Sequence, residues 1–334
     1  SSHVCSSDLF LLKQLGSRKT CEVDFFGGEP LMNFEVMKQL VAYGRERSAQ
    51  ANKVINFTLT TNGVLLSQEV EEFLNSENIS VVLSLDGRKE VNDRMRPQAN
   101  GKGSYDVIVP IYQRFAASRG DQDYIVRGTY THFNTDFAQD VKEMFEQGFT
   151  HLSVEPVVAP AEEPYALTSR DLEDIYEEYD KLSQWYLEEY RQGREVDFFH
   201  FNVDLDKGPC LPKRLTGCGA GYEYLAVTPE GDLYPCHQFV GQAEYIIGNV
   251  DQGLKRPEIG LKFKEAHIYN KEECSTCWAR FLCSGGCHAN AYANNKDIFK
   301  PYEIGCQIQK KRLECAIYVQ VAKKLAAESK GEII

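Results

Sequence analysis

The sequence has no run of about 18 consecutive apolar residues, so no membrane span is expected. It has no basic excess either: 37 Lys and Arg stand against 49 Asp and Glu, a formal net charge of -12 at pH 7. Phosphate binding needs a basic field, so nucleic acid is not an expected partner, and an acidic enzyme with small or peptide substrates fits better. No stretch of the sequence reads as an export signal, so none is expected. Disulfides belong to oxidising compartments and to small chains with little core, so the eleven cysteines read as metal ligands in a reducing cytoplasm. A second C-x2-C pair is missing as well, although two zinc ribbons would usually show several.

What is present is a soluble, globular composition, 43% hydrophobic and 26% charged over 334 residues, enough for one large domain or two ordinary ones. The most informative stretch is CSTCWARFLCSGGC, with Cys274 and Cys277 two residues apart, Cys283 after five more and Cys287 after three more. Thiolates are soft anionic ligands, and short loops let them converge on one centre. These four alone fit a metal ion or a cluster. Cys210, Cys218, Cys236 and Cys306 flank them and bring the local count to eight, enough for two four-ligand sites. Irregular spacing suits iron-sulfur clusters better than zinc.

From Cys21 onward, strand-like runs at 22–26, 54–60, 79–85, 123–131 and 150–158 alternate with segments of helical period. Five such units imply right-handed crossovers and a parallel sheet. Ligands bind such sheets at the carboxyl ends of the strands, where this chain writes GGEP (27–30), TTNG (60–63), SLDG (84–87), Arg127 with Gly128, and VEP (154–156). Each alone fits an ordinary turn; all five at equivalent ends fit a ligand rim. Residues 168–193 read as a long helix with a Thr168/Asp171 capping box and a packing stripe of Leu172, Ile175, Tyr179, Leu182, Tyr186 and Tyr190. A hairpin over 225–236, turning at 229–232, would carry Cys236 on its second strand. The last helix, about 306–328, places Leu313, Ile317, Val321 and Leu325 on one stripe, with Cys315 as a core residue or a ninth ligand. Residues 1–9 show no period and read as a tail or an artefact, with no role for Cys5.

Taken together, GGEP, TTNG and SLDG followed by the cysteine array resemble the radical S-adenosylmethionine enzymes with a C-terminal SPASM domain. That domain's pattern is a cysteine, Gly-x4-Cys, C-x2-C-x5-C-x3-C and a final cysteine, matched by Cys218, Gly231, Cys236, Cys274, Cys277, Cys283, Cys287 and Cys306. Within the family, LSLDGRKEVNDRMRP, GPCLPKRLTGCGAGYEYLAVTPEGDLYPCHQFVG and CWARFLCSGGCHANAY are similar to maturases of SCIFF peptides, which install thioether links in a ribosomally made peptide.

The resemblance implies an α/β fold: a partial (β/α)6-type parallel barrel lacking its first unit, followed by a small cysteine-rich α+β SPASM domain. The expected partition is 1–20 as tail and domain start, 21–195 as the partial barrel and 196–328 as the SPASM domain. It implies that Gly27, Gly28, Glu29 and Pro30 line the methionine end of S-adenosylmethionine. Asn62, Ser84, Asp86 and Arg127 would sit near its ribose or carboxylate, and Glu155 with Pro156 near its adenine. It implies two auxiliary 4Fe-4S clusters, one on Cys210, Cys218, Cys236 and Cys287, the other on Cys274, Cys277, Cys283 and Cys306. His237 stands where sulfatase-maturing relatives carry an aspartate thought to act as base, which makes it a candidate for proton transfer, with an ordinary histidine beside a sulfur as the alternative. Implied partners are a cysteine-rich precursor peptide and an electron donor such as flavodoxin or ferredoxin.

One departure is large. The C-x3-C-x2-C motif that holds the cluster reducing S-adenosylmethionine is nowhere in the sequence, and Cys5 and Cys21 are too far apart to replace it. The expectation is a chain truncated at its N-terminus, with the third cluster confined to the intact protein and no adenosyl radical made by the chain as written. Two rival readings are a sulfatase-type maturase that makes formylglycine and a non-catalytic zinc or iron-sulfur module.

Overall fold

The computed structural model describes residues 10–207 and 210–329; the expected tail, 1–9 with Cys5, lies outside them. Six strands follow one another in chain order in one sheet: β1 (Thr20–Phe25), β2 (Val54–Thr61), β3 (Ser80–Ser84), β4 (Tyr124–Tyr130), β5 (His151–Pro156) and β6 (Asp197–Phe198). The registers of β1 on β2, β2 on β3, β4 on β5 and β5 on β6 are parallel. Five of the strands lie within a residue or two of the expected runs. The sixth corrects the count: it lies at 197–198, which the sequence reading gave to the cysteine region, and two residues are too few to show a period of two.

The chain forms two compact units. The first comprises the described residues up to 84, residues 110–124 and residues 218–265. Its strand β2 buries Ile55, Phe57 and Leu59 at alternate positions, as a half-covered sheet demands. Parallel neighbours need a crossover. Helix Phe34–Gln50, which buries Met37 and Val41, supplies it between β1 and β2; helix Gln68–Ser76, which buries Val70 and Leu74, supplies it between β2 and β3. Ser67 starts the second of these by accepting a hydrogen bond from the Val70 amide.

The expected hairpin is also here: β7 (Ala226–Val227) pairs antiparallel with β8 (Asp232–Tyr234). It continues through β9 (Gly248–Asn249) to β10 (Gly253–Leu254). Cys236 follows the second strand of the hairpin instead of lying on it. Gly231 closes the turn at φ +85°, where a Cβ would collide with Val250, so the pattern glycine is a conformational need. Phe239 anchors the segment with its ring 4.5 Å from that of Tyr245 and 5.2 Å from that of Phe263.

The second unit comprises the described residues of 85–109, 125–217 and 266–329. The Thr168/Asp171 capping box is present and leads into helix Leu172–Arg191, whose Ile175, Tyr179, Leu182 and Tyr186 are buried as expected. That helix packs on the last one, Glu303–Ser329. Here the expected stripe holds at Leu313 and fails beyond it: Ile317 is half-buried, Val321 and Leu325 are 42% and 61% exposed, and the buried face is Ile308, Leu313, Cys315, Ala316 and Val319. Two helical faces carry apolar residues, and contact with Leu172–Arg191 covers one of them. Cys315 is a core residue, its Sγ 3.6 Å from Asp180 Oδ1. Among the described residues no helix is long and apolar enough to cross a membrane.

Candidate cofactor and cluster site

At the carboxyl end of β1 the chain turns through Gly27 and Gly28 at φ +91° and +56°, and a Cβ on either would meet nothing within 4 Å. Bare backbone therefore lines an open cradle there. Glu29 fixes it from behind. Its Oε1 accepts from the Leu31 amide at 3.1 Å and the Thr61 hydroxyl at 2.8 Å, and its Oε2 accepts from the Asn62 amide at 2.7 Å. One carboxylate thus joins GGEP to TTNG, the two neighbouring strand ends. Asn62 itself is exposed and accepts from the Val64 amide. Gly63 is packed under Tyr112, whose hydroxyl donates to the Ser84 carbonyl at 3.1 Å. Gly27, Gly28, Glu29, Pro30, Asn62 and Ser84 all belong to the first unit.

The same unit places Phe26, the residue before the cradle, against His237, the residue after Cys236, with ring centroids 4.7 Å apart. The Tyr224 oxygen lies 3.0 Å from His237 Nδ1, and Cys236 Sγ lies 3.9 Å from that nitrogen. Burial raises the Tyr224 hydroxyl to about 12, Cys236 adding to it, with Asp24 and Cys218 contributing. Asp24, on β1, has an outer surface open to water but a crowded flank: burial raises its pKa to about 6, with Glu22 adding repulsion. Neither Tyr224 nor Phe26 was read from the sequence. Each lies in a run of aromatics that signals packing as readily as a site.

In the second unit Asp86 is 3% exposed and holds Arg96 through both oxygens, at 3.0 and 2.8 Å. Its Oδ1 also accepts from the Thr129 amide. It organises the strand ends, and its carboxylate is already engaged. Arg127 is exposed. Glu155 accepts from Ser153 Oγ at 2.7 Å and lies 3.0 Å from His200 Nε2, whose other ring nitrogen is 3.1 Å from the Tyr179 oxygen. Burial pushes the Glu155 carboxyl up, but His200, Ser153 and Arg312 outweigh it and hold the group well below the usual carboxylate range. His200 was missed because it sits inside the apolar run FFHF.

None of the ten described cysteines forms a disulfide. Cys274, Cys277, Cys283 and Cys306 all lie in the second unit and act on one another. Burial raises Cys306 to about 12, and Cys283, Cys274 and Cys277 add repulsion. Burial raises Cys274 too, opposed by Lys271 and reinforced by Cys283 and Cys277. Burial likewise raises Cys283, against hydrogen bonds from the Gly286 and Gly285 amides. Four cysteines with no bridge, three of them holding their protons because they are buried and neighbouring thiolates would repel, suit a positively charged iron centre, whose binding would displace those protons. Among the described residues no three His, Cys, Asp or Glu side chains gather tightly enough to hold a single metal ion. A cubane cluster holds its thiolates at the corners of a larger body than one ion does. Of the other expected set, Cys218 and Cys236 lie in the first unit and Cys210 and Cys287 in the second.

Comparison with known proteins agrees with this donor chemistry. Residues 218–278 match the SPASM family, described as an iron-sulfur cluster-binding domain, and residues 8–110 match a family described as a 4Fe-4S single cluster domain. Over these stretches the chain is similar to radical S-adenosylmethionine proteins that carry a SPASM domain. In the first matched stretch only Cys21 is a described cysteine, so the ligand set there is not a full one. The chain is 25% identical over 307 residues to a cysteine-type anaerobic sulfatase-maturating enzyme of Clostridium novyi, covering 85% of this chain and 78% of that protein. It is 27% identical over 291 residues to the mycofactocin maturase MftC of Mycolicibacterium smegmatis, covering 84% and 69%. The solved structure of native anSMEcpe with bound AdoMet and Kp18Cys peptide has the same fold, with a TM-score of 0.80 at 21% identity over 97% of this chain and 91% of that one. Radical S-adenosylmethionine relatives of this kind are enzymes, and the family's cofactors are S-adenosylmethionine and 4Fe-4S clusters.

Proposed function

We propose that this chain is the core of a peptide maturase that joins cysteine sulfur to an acceptor carbon in a cysteine-rich, ribosomally made peptide. The observation that carries the reading is the contact of Phe26 with His237: within one unit the GGEP turn and a cluster-type cysteine segment are neighbours. S-adenosylmethionine and the auxiliary clusters, when bound, supply hydrogen abstraction from the acceptor carbon and a place for the electron released as the thioether forms. The protein's own residues do the rest. Gly27 and Gly28 let backbone approach the methionine end, and Glu29 keeps that backbone in register with Asn62. Glu155, kept ionised by His200 and Ser153, offers a fixed anion near the expected adenine end. His237, with Tyr224 on its ring nitrogen, takes the proton that the attacking thiol must lose.

On this reading Cys210, Cys218, Cys236 and Cys287 hold the first auxiliary cluster and Cys274, Cys277, Cys283 and Cys306 the second. The partition at 195/196, an electron donor of the flavodoxin or ferredoxin type and a cytoplasmic site of action belong to the same proposal. The form expected to turn over is one that carries a C-x3-C-x2-C motif. The sulfatase-type reading has its own support, since the relatives include sulfatase-maturating enzymes. Mass spectrometry of a cysteine-containing peptide after anaerobic turnover separates the two: loss of two hydrogens per thioether is expected, and conversion of one side chain to an aldehyde overturns the proposal in favour of formylglycine. His237→Ala should lower turnover and alter its pH profile; an unchanged profile removes His237 from the mechanism.

A further inference from the structure

Lysine is almost never fully buried without a counter-charge, yet Lys271 is 1% exposed. Its Nζ donates to the Gly285 carbonyl at 2.8 Å; burial lowers its pKa, and the neighbouring Cys274, Cys283, Cys287 and Cys306, once ionised, favour its charged form. Its own carbonyl accepts from the Cys274 amide at 3.0 Å, which fixes the start of the C-x2-C turn. Gly285 sits at φ +85° between Cys283 and Cys287, in the loop whose amides at 285 and 286 point to the Cys283 sulfur. One side chain therefore reaches from the first cysteine pair to the loop that carries the last.

We propose that Lys271 is the built-in counter-cation of the second auxiliary cluster: a positioning residue that pins the Ser284-Gly285-Gly286 loop and sets the cluster's reduction potential through a buried positive charge. Cluster potentials respond to net charge, to hydrogen bonds on sulfur and to solvent exposure, and a cation fixed beside the thiolates favours the electron-rich state. The proposal rests on the cluster reading of Cys274, Cys277, Cys283 and Cys306, and concerns how that site is tuned.

The test is anaerobic reconstitution of the chain with iron and sulfide, iron analysis, and a redox titration followed by electron paramagnetic resonance. The wild-type chain is read first: about eight irons, two 4Fe-4S clusters, support the cluster reading. No iron overturns that reading, and this proposal with it. Against a loaded wild type, Lys271→Met with full iron should shift one midpoint potential to a more negative value and leave the other in place. Lys296→Met, a change at an exposed lysine of the same unit, should shift neither. Unchanged potentials in Lys271→Met, or an equal shift in Lys296→Met, overturn the proposal while the cluster reading stands. If Lys271→Met takes up less iron, Lys271→Arg decides: wild-type iron and potential uphold the counter-cation, and loss of iron with the charge retained refutes it.

Discussion

In the first unit, the turn from GGEP to TTNG is held by one carboxylate that takes three donors, with bare glycine backbone toward the opening. In the second unit, Cys274, Cys283 and Cys306 are each raised by burial and by the charges of the other cysteines, with one buried lysine among them. The turn's carboxylate is satisfied by the protein alone. Cys274, Cys283 and Cys306 instead keep their protons in the apo protein and ionise when those protons are exchanged for a cation centre. Polar satisfaction therefore separates a binding surface that is preformed from a site that ligand binding completes.

The largest effect that could break this contrast is at the quartet. Cys283→Ala should cost about four of about eight irons after reconstitution, while Cys315→Ala, in the helix packing, should keep all of them. Full iron in Cys283→Ala would dissolve the grouping. Next comes the carboxylate that ties the turns. Hydrogen bonds to a charged group contribute about 1.5–3 kcal/mol, so Glu29→Ala should lower stability in urea by roughly that amount and weaken binding of S-adenosylmethionine, read by calorimetry. Gly63→Ala, at φ +76° with its Cβ driven into the Tyr112 ring, should cost about 1–2 kcal/mol from backbone conformation, with the clash in addition.

The smallest effects are in pH. Cys306 rises from 9.0 to about 12, so the neutral thiol favours the folded apo protein below pH 9.0, and that contribution is lost as pH climbs toward about 12. Cys306→Val should flatten this alkaline limb of apo stability. Asp24 rises from 3.8 to about 6, so its burial favours folding below 3.8 and that contribution is lost as pH rises through about 6. Asp24→Asn should remove a shallow slope there and leave the alkaline limb alone. Two independent limbs would sharpen the contrast between the units; one shared limb would break it.

Much of the fold was legible. The β2 alternation, the Thr168/Asp171 box and the hairpin at 229–232 are each written within a few residues, and local patterns need no partner to be read. Strand β6 escaped because two residues carry no period. The buried face of Glu303–Ser329 escaped because its apolar residues occupy two faces, and only packing against Leu172–Arg191 chooses between them. At the site, the cysteine spacing and the glycine turns were visible, whereas His200 and Lys271 looked like an apolar-run residue and an ordinary surface charge.

By itself the sequence determined the kind of chemistry, because ligand spacing, turn glycines and strand period are short-range properties of consecutive residues. Only the tertiary structure decided which groups are spoken for. Glu29 and Asp86 are engaged by the scaffold, Phe26 reaches His237 across the first unit, and Lys271 is buried among cysteines in the second. Burial and charge pairing depend on what distant segments bring alongside, and no local pattern encodes them.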